Sequence, residues 1–158
     1  MKVCKFEKIK DEDEMKQVIN CIQKEHPYVA VVPILAQLQE WLQAISISWF
    51  HEEDEVSHAT VNAIEAYCCT LANHLVTDSH LNQEIKNRIL ECIKKIHILV
   101  EDKADLLIDK MIKAEVYGLS SDLFTYCLRQ QGLRAQTLDT GKPVSYTHLR
   151  AHETCADL

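Results

Sequence analysis

A chain of 158 residues, nearly half of them apolar, is long enough for one domain with a buried core. Its formal net charge of −7 argues against a nucleic-acid or anionic-membrane partner, because phosphate surfaces are met with a Lys/Arg excess and the bases here are dispersed among acids. No apolar run approaches bilayer-spanning length, and Lys2 to Lys10 alternates charge with single apolar residues, so neither a membrane segment nor a signal peptide is expected and a cytoplasmic address follows.

The chain opens on a short strand, Lys2 to Phe6. Residues 11 to 25 predict a helix: Asp11 can cap it, Asp13 and Glu14 suit its positive end, and Met15, Val18, Ile19 and Ile22 recur at helical spacing. Tyr28 to Val32, rich in β-branched Val and bounded by His26-Pro27 and Pro33, reads as a second strand buried on both faces. Residues 1 to 35 thus predict a parallel β-α-β unit, with chemistry expected beyond the strand ends, at Lys5 to Asp11 and Pro33 to Gln39.

A large helical region follows. Leu35, Leu38, Leu42, Ile45 and Trp49 mark one helix; Val61, Ile64, Tyr67, Cys68, Leu71 and Leu75 a second, ended at Thr77-Asp78-Ser79; Ile85, Ile89, Cys92, Ile93, Ile96 and Val100 a third. Another helix is expected from near Asp102, with a break at Gly118. A last helix, Asp122 to Gln131, ends at Gly132, and a strand over Leu133 to Leu138 is expected in or beside the same sheet.

Several tempting residues read blandly. His51 to Glu55 is a solvated loop entering a helix, since one flexible acidic run offers a metal no fixed geometry. His58, His74, His80 and His97 never pair three or four apart on one helix beside a carboxylate, so they read as surface or half-buried histidines and no metal is expected. Seven cysteines without a C-x-x-C read as reduced core thiols. Ser120-Ser121 lacks a nucleophile elbow and reads as capping or packing serine.

Three phrases in order resemble one family. Met1-Lys2-Val3-Cys4-Lys5-Phe6 resembles the opening of bacterial aspartokinases, whose first strand ends in Lys-Phe-Gly-Gly-Thr-Ser. Tyr28 to Leu42 resembles their second strand and following helix, and Ala114 to Leu138 their Gly-Glu-x-Leu-Ser-Ser helix, glycine and next strand. The likeness spans roughly residues 1 to 140. It implies an α/β fold in the form of an incomplete amino-acid-kinase-like domain over residues 1–143, with parallel strands, a crossover helix and a large helical region. The implied activity is ATP- and Mg-dependent phosphorylation of the aspartate side-chain carboxylate. By the same resemblance Lys5 is the catalytic residue contacting the transferring phosphoryl group, Ser120 matches the substrate-binding motif, and Glu115 stands in for the motif's Glu if the alignment slips.

The chain also departs from that pattern. Glu7-Lys8-Ile9-Lys10 replaces Gly-Gly-Thr-Ser, so side chains block the close backbone approach to phosphate and Glu7 adds a repelling charge. The family's aspartate-holding Ser and Thr fall on Pro33 and Gln39, and its ammonium-pairing Glu on Tyr117. Val144 to Thr154 reads as the translation of a transposon-end adapter used in sequencing libraries, so residues 144–158 are expected to be a non-biological tail making few contacts. With most of the nucleotide half then absent, the expectation is an inactive aspartokinase-like N-terminal part that binds neither ATP nor Mg tightly. The alternative is a non-catalytic helical interaction or regulatory module.

Overall fold

A computed structural model describes residues 2–102 and 107–138. Strand β1 (Val3–Lys5) and strand β2 (Val29–Val31) pair in parallel, Val3 opposite Val29 and Lys5 opposite Val31, with helix α1 (Glu12–Glu25) between them in the chain. Among the described residues this two-stranded sheet is the whole β structure, and helices α2 (Ala36–Phe50), α3 (Asp54–Leu75), α4 (Ser79–Glu101) and α5 (Ile108–Gln130) make up the bulk of the fold. The expected tail, residues 144–158, lies outside the described residues.

Local chemistry explains most element ends. Asp11 accepts from Glu14 N at 2.9 Å and Asp78 from Leu81 N at 2.9 Å, each satisfying one of the donors a helix start leaves free. The acidic run behaves as a solvated loop: His51 and Glu52 turn, Glu53 precedes α3, and Asp54 and Glu55 sit in its first turn. At the far end of α3, Asn82 Nδ2 donates to Ala72 O at 3.0 Å and Val76 O at 2.9 Å, closing the turn into α4. The apolar stripes of α1 and α4 face inward as their spacing predicts, Met15, Val18, Ile19 and Ile22 on the first and Ile85 to Val100 on the second.

Three expectations need correction. No break occurs at Gly118: α5 runs continuously from Ile108 to Gln130, because its flanks are packed on α1, α2, α3 and α4, and tertiary burial outweighs glycine's unfavourable helix propensity. Strand β2 is not buried on both faces; Val31 is 46% and Tyr28 52% exposed, since two strands offer too little surface to be covered on each side. Residues 133–138 join no sheet. They run back along α5 as an extended strap, with Leu133 N donating to Leu128 O, Arg129 Nε to Ala135 O at 2.9 Å, and Thr137 Oγ1 to Asp122 Oδ1 at 2.8 Å.

The described cysteines are all free thiols, and Cys68, Cys92 and Cys127 lie in the core. Burial pushes Cys92 and Cys127 up to about 12 and Cys68 higher still, which keeps them protonated and inert.

Gln130 fastens the end of α5 to the α3–α4 turn. Its Oε1 accepts from Thr77 N at 2.7 Å and Asp78 N at 3.2 Å, while its Nε2 donates to Leu75 O at 2.6 Å. Gln130→Leu removes these bonds, together with the one that Thr77 Oγ1 donates at 3.3 Å, and is expected to lower the unfolding free energy by about 2 kcal/mol in urea titration. Gly118→Ala is expected to raise it by about 1 kcal/mol, because an added Cβ meets no atom within 4 Å and the helix is continuous there. A loss of stability on that change would show that the helix is interrupted at Gly118.

Candidate functional site

Two small clefts compete. One, of about 270 Å³, lies between α1 and the C-terminal ends of α3 and α5, with Lys16, Asn20, His74 and Gln131 on its walls. Its basic side chains are already engaged: Glu12 takes Lys16 Nζ at 2.8 Å and His74 Nδ1 at 3.1 Å, and the Lys16 hydrogen bond, then the His74 bond, holds the Glu12 carboxyl below its ordinary range.

The other cleft, of about 280 Å³, sits where β2 ends, close to the lower limit of ~300 Å³ for small-molecule pockets. Val32, Pro33 and Ile34 form one wall, and Tyr117, Ser120 and Ser121 of α5 the other. The first wall leads directly into α2, whose preceding residue Leu35 gives no side-chain cap and whose first turn holds no acid. The N-terminus of a 15-residue helix follows this wall, with its first N–H, Ala36 N, taken by Ile9 O. Ser120 is 2% exposed, yet its Oγ has no hydrogen-bond partner. A buried hydroxyl without a partner is unusual in a folded protein and leaves one donor and its lone pairs free for a ligand.

The sequence-predicted residues divide around this cleft. Ser120 lines it. Lys5 is exposed and pairs in register with Val31, the residue before cleft-lining Val32, so it stands at the same end of the sheet. Glu115 lies on another face of α5, where its carboxylate meets Lys95 of α4 at 3.7 Å, and is not among the lining residues. Pro33 and Tyr117, the positions where the resemblance expected a hydroxyl and a carboxylate, both face the cleft. Gln39 is not among its lining residues.

The segment between β1 and α1 is tied into the fold at both ends. Ile9 is 1% exposed and anchors the segment in the core, and Ile9 O takes the first N–H of α2, Ala36 N, at 3.0 Å. Phe6 N is likewise committed to Val31 O, and Lys10 N to Glu14 Oε2 at 2.7 Å. Phe6 N and Lys10 N are thus spent inside the fold and are not available to a phosphate.

Sequence reasoning missed one juxtaposition. His58 of α3 and His97 of α4 meet at 2.6 Å between their Nδ1 atoms. Both sit almost equally far from the Val76–Asp78 turn, and that symmetry about a tight antiparallel turn was the available signal. Two imidazoles alone make no metal centre, and no group of three ligating side chains assembles among the described residues. Nor is any helix among them long and apolar enough to cross a membrane.

No protein-family model matches the chain, and neither a curated protein nor a solved structure is significantly similar to it.

Removing the orphan hydroxyl tests the geometry of the cleft. Ser120→Ala is expected to leave stability unchanged or raise it by up to about 1 kcal/mol, because no protein hydrogen bond is lost and a buried unpaired polar atom disappears. A loss of similar size in thermal melts would show that the hydroxyl has a partner.

Proposed function

We propose that the chain is the N-terminal part of an amino-acid-kinase-like domain of the aspartokinase type, in which the substrate cleft persists in outline but phosphoryl transfer does not. The observation that carries this reading is a convergence: Pro33 and Tyr117, assigned to aspartate-binding positions from two phrases far apart in the chain, line one cleft together with Ser120 and Ser121. The parallel β1-α1-β2 unit with the cleft beyond the end of β2 is the placement such a domain uses for ligands.

The chemistry of the cleft has changed. A substrate ammonium needs a carboxylate, and Tyr117 supplies none, while Glu115 is occupied by Lys95. What remains is the helix end of α2 and the Ser120 and Ser121 hydroxyls, which favour a small carboxylate over a cation. Lys5 keeps a positive charge nearby, but phosphoryl transfer rests on positioning and on a set of donors, cations and metal, and one lysine does not replace them. With Glu7-Lys8-Ile9-Lys10 in place of a Gly-rich turn, neither ATP nor Mg is expected to bind tightly.

A second reading, that of a helical interaction module, draws on the apolar side chains left exposed on the helices, with Phe50 75% and Ile98 69% exposed. It shares the expectation of no phosphotransfer and differs in leaving the cleft without a ligand.

A coupled ADP-release assay with aspartate and Mg-ATP is expected to give no turnover above background, and Lys5→Ala no further change. Turnover abolished by Lys5→Ala would overturn the inactive reading. Chemical-shift mapping with aspartate separates the two readings: shifts confined to Val32–Ile34 and Tyr117–Ser121 favour the degenerate cleft, and their absence favours the module.

A further inference from the structure

The contact between His58 and His97 has a defined proton arrangement. Their Nδ1 atoms are 2.6 Å apart, whereas the ring centroids are 4.9 Å apart with planes inclined by 25°. Nitrogens that much closer than the centroids place the rings edge to edge, along an N–H···N line, rather than face to face. Such a bond takes one N–H and one bare nitrogen.

The outer nitrogens decide which ring donates. His97 Nε2 lies 3.1 Å from Asn62 Oδ1, and an amide oxygen accepts, so His97 carries its proton on Nε2 and turns a bare Nδ1 inward. His58 therefore donates from Nδ1. Its own Nε2 faces Glu101 Oε1 at 3.5 Å, where an added proton would stand beside a carboxylate.

We propose that His58 and His97 form a proton-linked latch across the α3–α4 seam, running from Glu101 through both rings to Asn62, which opens when a proton reaches His97 Nδ1. That proton removes the only acceptor between the rings. The latch lies at the open end of the α3–α4 hairpin, remote from the Val76–Asp78 turn, so its release loosens the last turns of α4.

The surrounding groups bear on His97. Burial, then the charge of His58, holds His97 below the ordinary histidine range, opposed by Glu65 of α3 and Glu101 of α4. Helices α2 and α5, which also pack on these two, contribute no charged group acting on His97 among the described residues. With the folded value below the unfolded one, the unfolded chain binds more protons in the window between them. Stability is therefore full above the ordinary histidine value of ~6.5 and falls as pH drops below it, levelling off beneath the folded value of His97.

The test is an imidazole nitrogen-15 titration of the full chain, paired with thermal melts from about pH 8 to about pH 5, on wild type, His58→Gln and His97→Gln. In the wild type His97 is expected to titrate below the other helical histidines. In His58→Gln its midpoint is expected to rise. Across the same pH range the wild type should lose more Tm than His97→Gln. A His97 midpoint level with or above the other histidines, a midpoint unmoved in His58→Gln, or equal Tm losses would each overturn the latch. If His97→Gln does not fold, the wild-type and His58→Gln titrations decide alone.

Discussion

The fold depends on burying the C-terminal half of α5 on every side. Leu123 to Leu128 are six consecutive buried residues, and a helix apolar around its whole circumference is stable only when other elements enclose it. Helices α1, α2, α3 and α4 all touch α5, and the strap over residues 133–138 runs back along it. Each Leu or Phe so enclosed contributes about 2 kcal/mol, and for that reason a small, half-exposed sheet can persist beside it. The cleft inherits its shape from this helix, since one wall is α5 itself.

Polar groups complete the enclosure at its ends. Gln130 and Asn82 both satisfy backbone groups around the α3–α4 turn, one from α5 and one from α4. Ser48 and Ser57 share a buried hydroxyl contact of 2.6 Å between α2 and α3, so two of the few buried polar side chains in the core answer each other. Ser120 stands apart from that pattern, as does Gln131, whose buried Oε1 also lacks a partner.

Much of the helical architecture was legible in the sequence because strong periodicity and short polar caps act locally. Asp11 caps α1, and the six stripe residues of α4 from Ile85 to Val100 are all buried. The misreadings arise where long-range packing overrode local preference. Gly118 reads as a break until the other helices are known to hold α5 together, and residues 133–138 read as a strand until Leu128, Arg129 and Asp122 are known to take their polar groups. Around the cleft, the motif pointed to Ser120 and the strand end to Pro33, and both are among its lining residues. That Tyr117 would turn toward the cleft and Glu115 toward Lys95 depends on the rotation of α5, which no single phrase reveals.

The three-residue link between α3 and α4 has a consequence for how the chain assembles. Contacts across so tight a hairpin close at small entropic cost, as do those of the α2–α3 pair, also joined by three residues, whereas those joining α1 or the Val32–Ile34 segment to α5 must bring together segments separated by most of the chain. On loop-closure entropy alone, these two helix pairs form before α5 meets α1 and the strand end. The cleft needs both Val32–Ile34 and Tyr117–Ser121 in place, so it is among the last features to form and among the first to be lost when the structure opens locally.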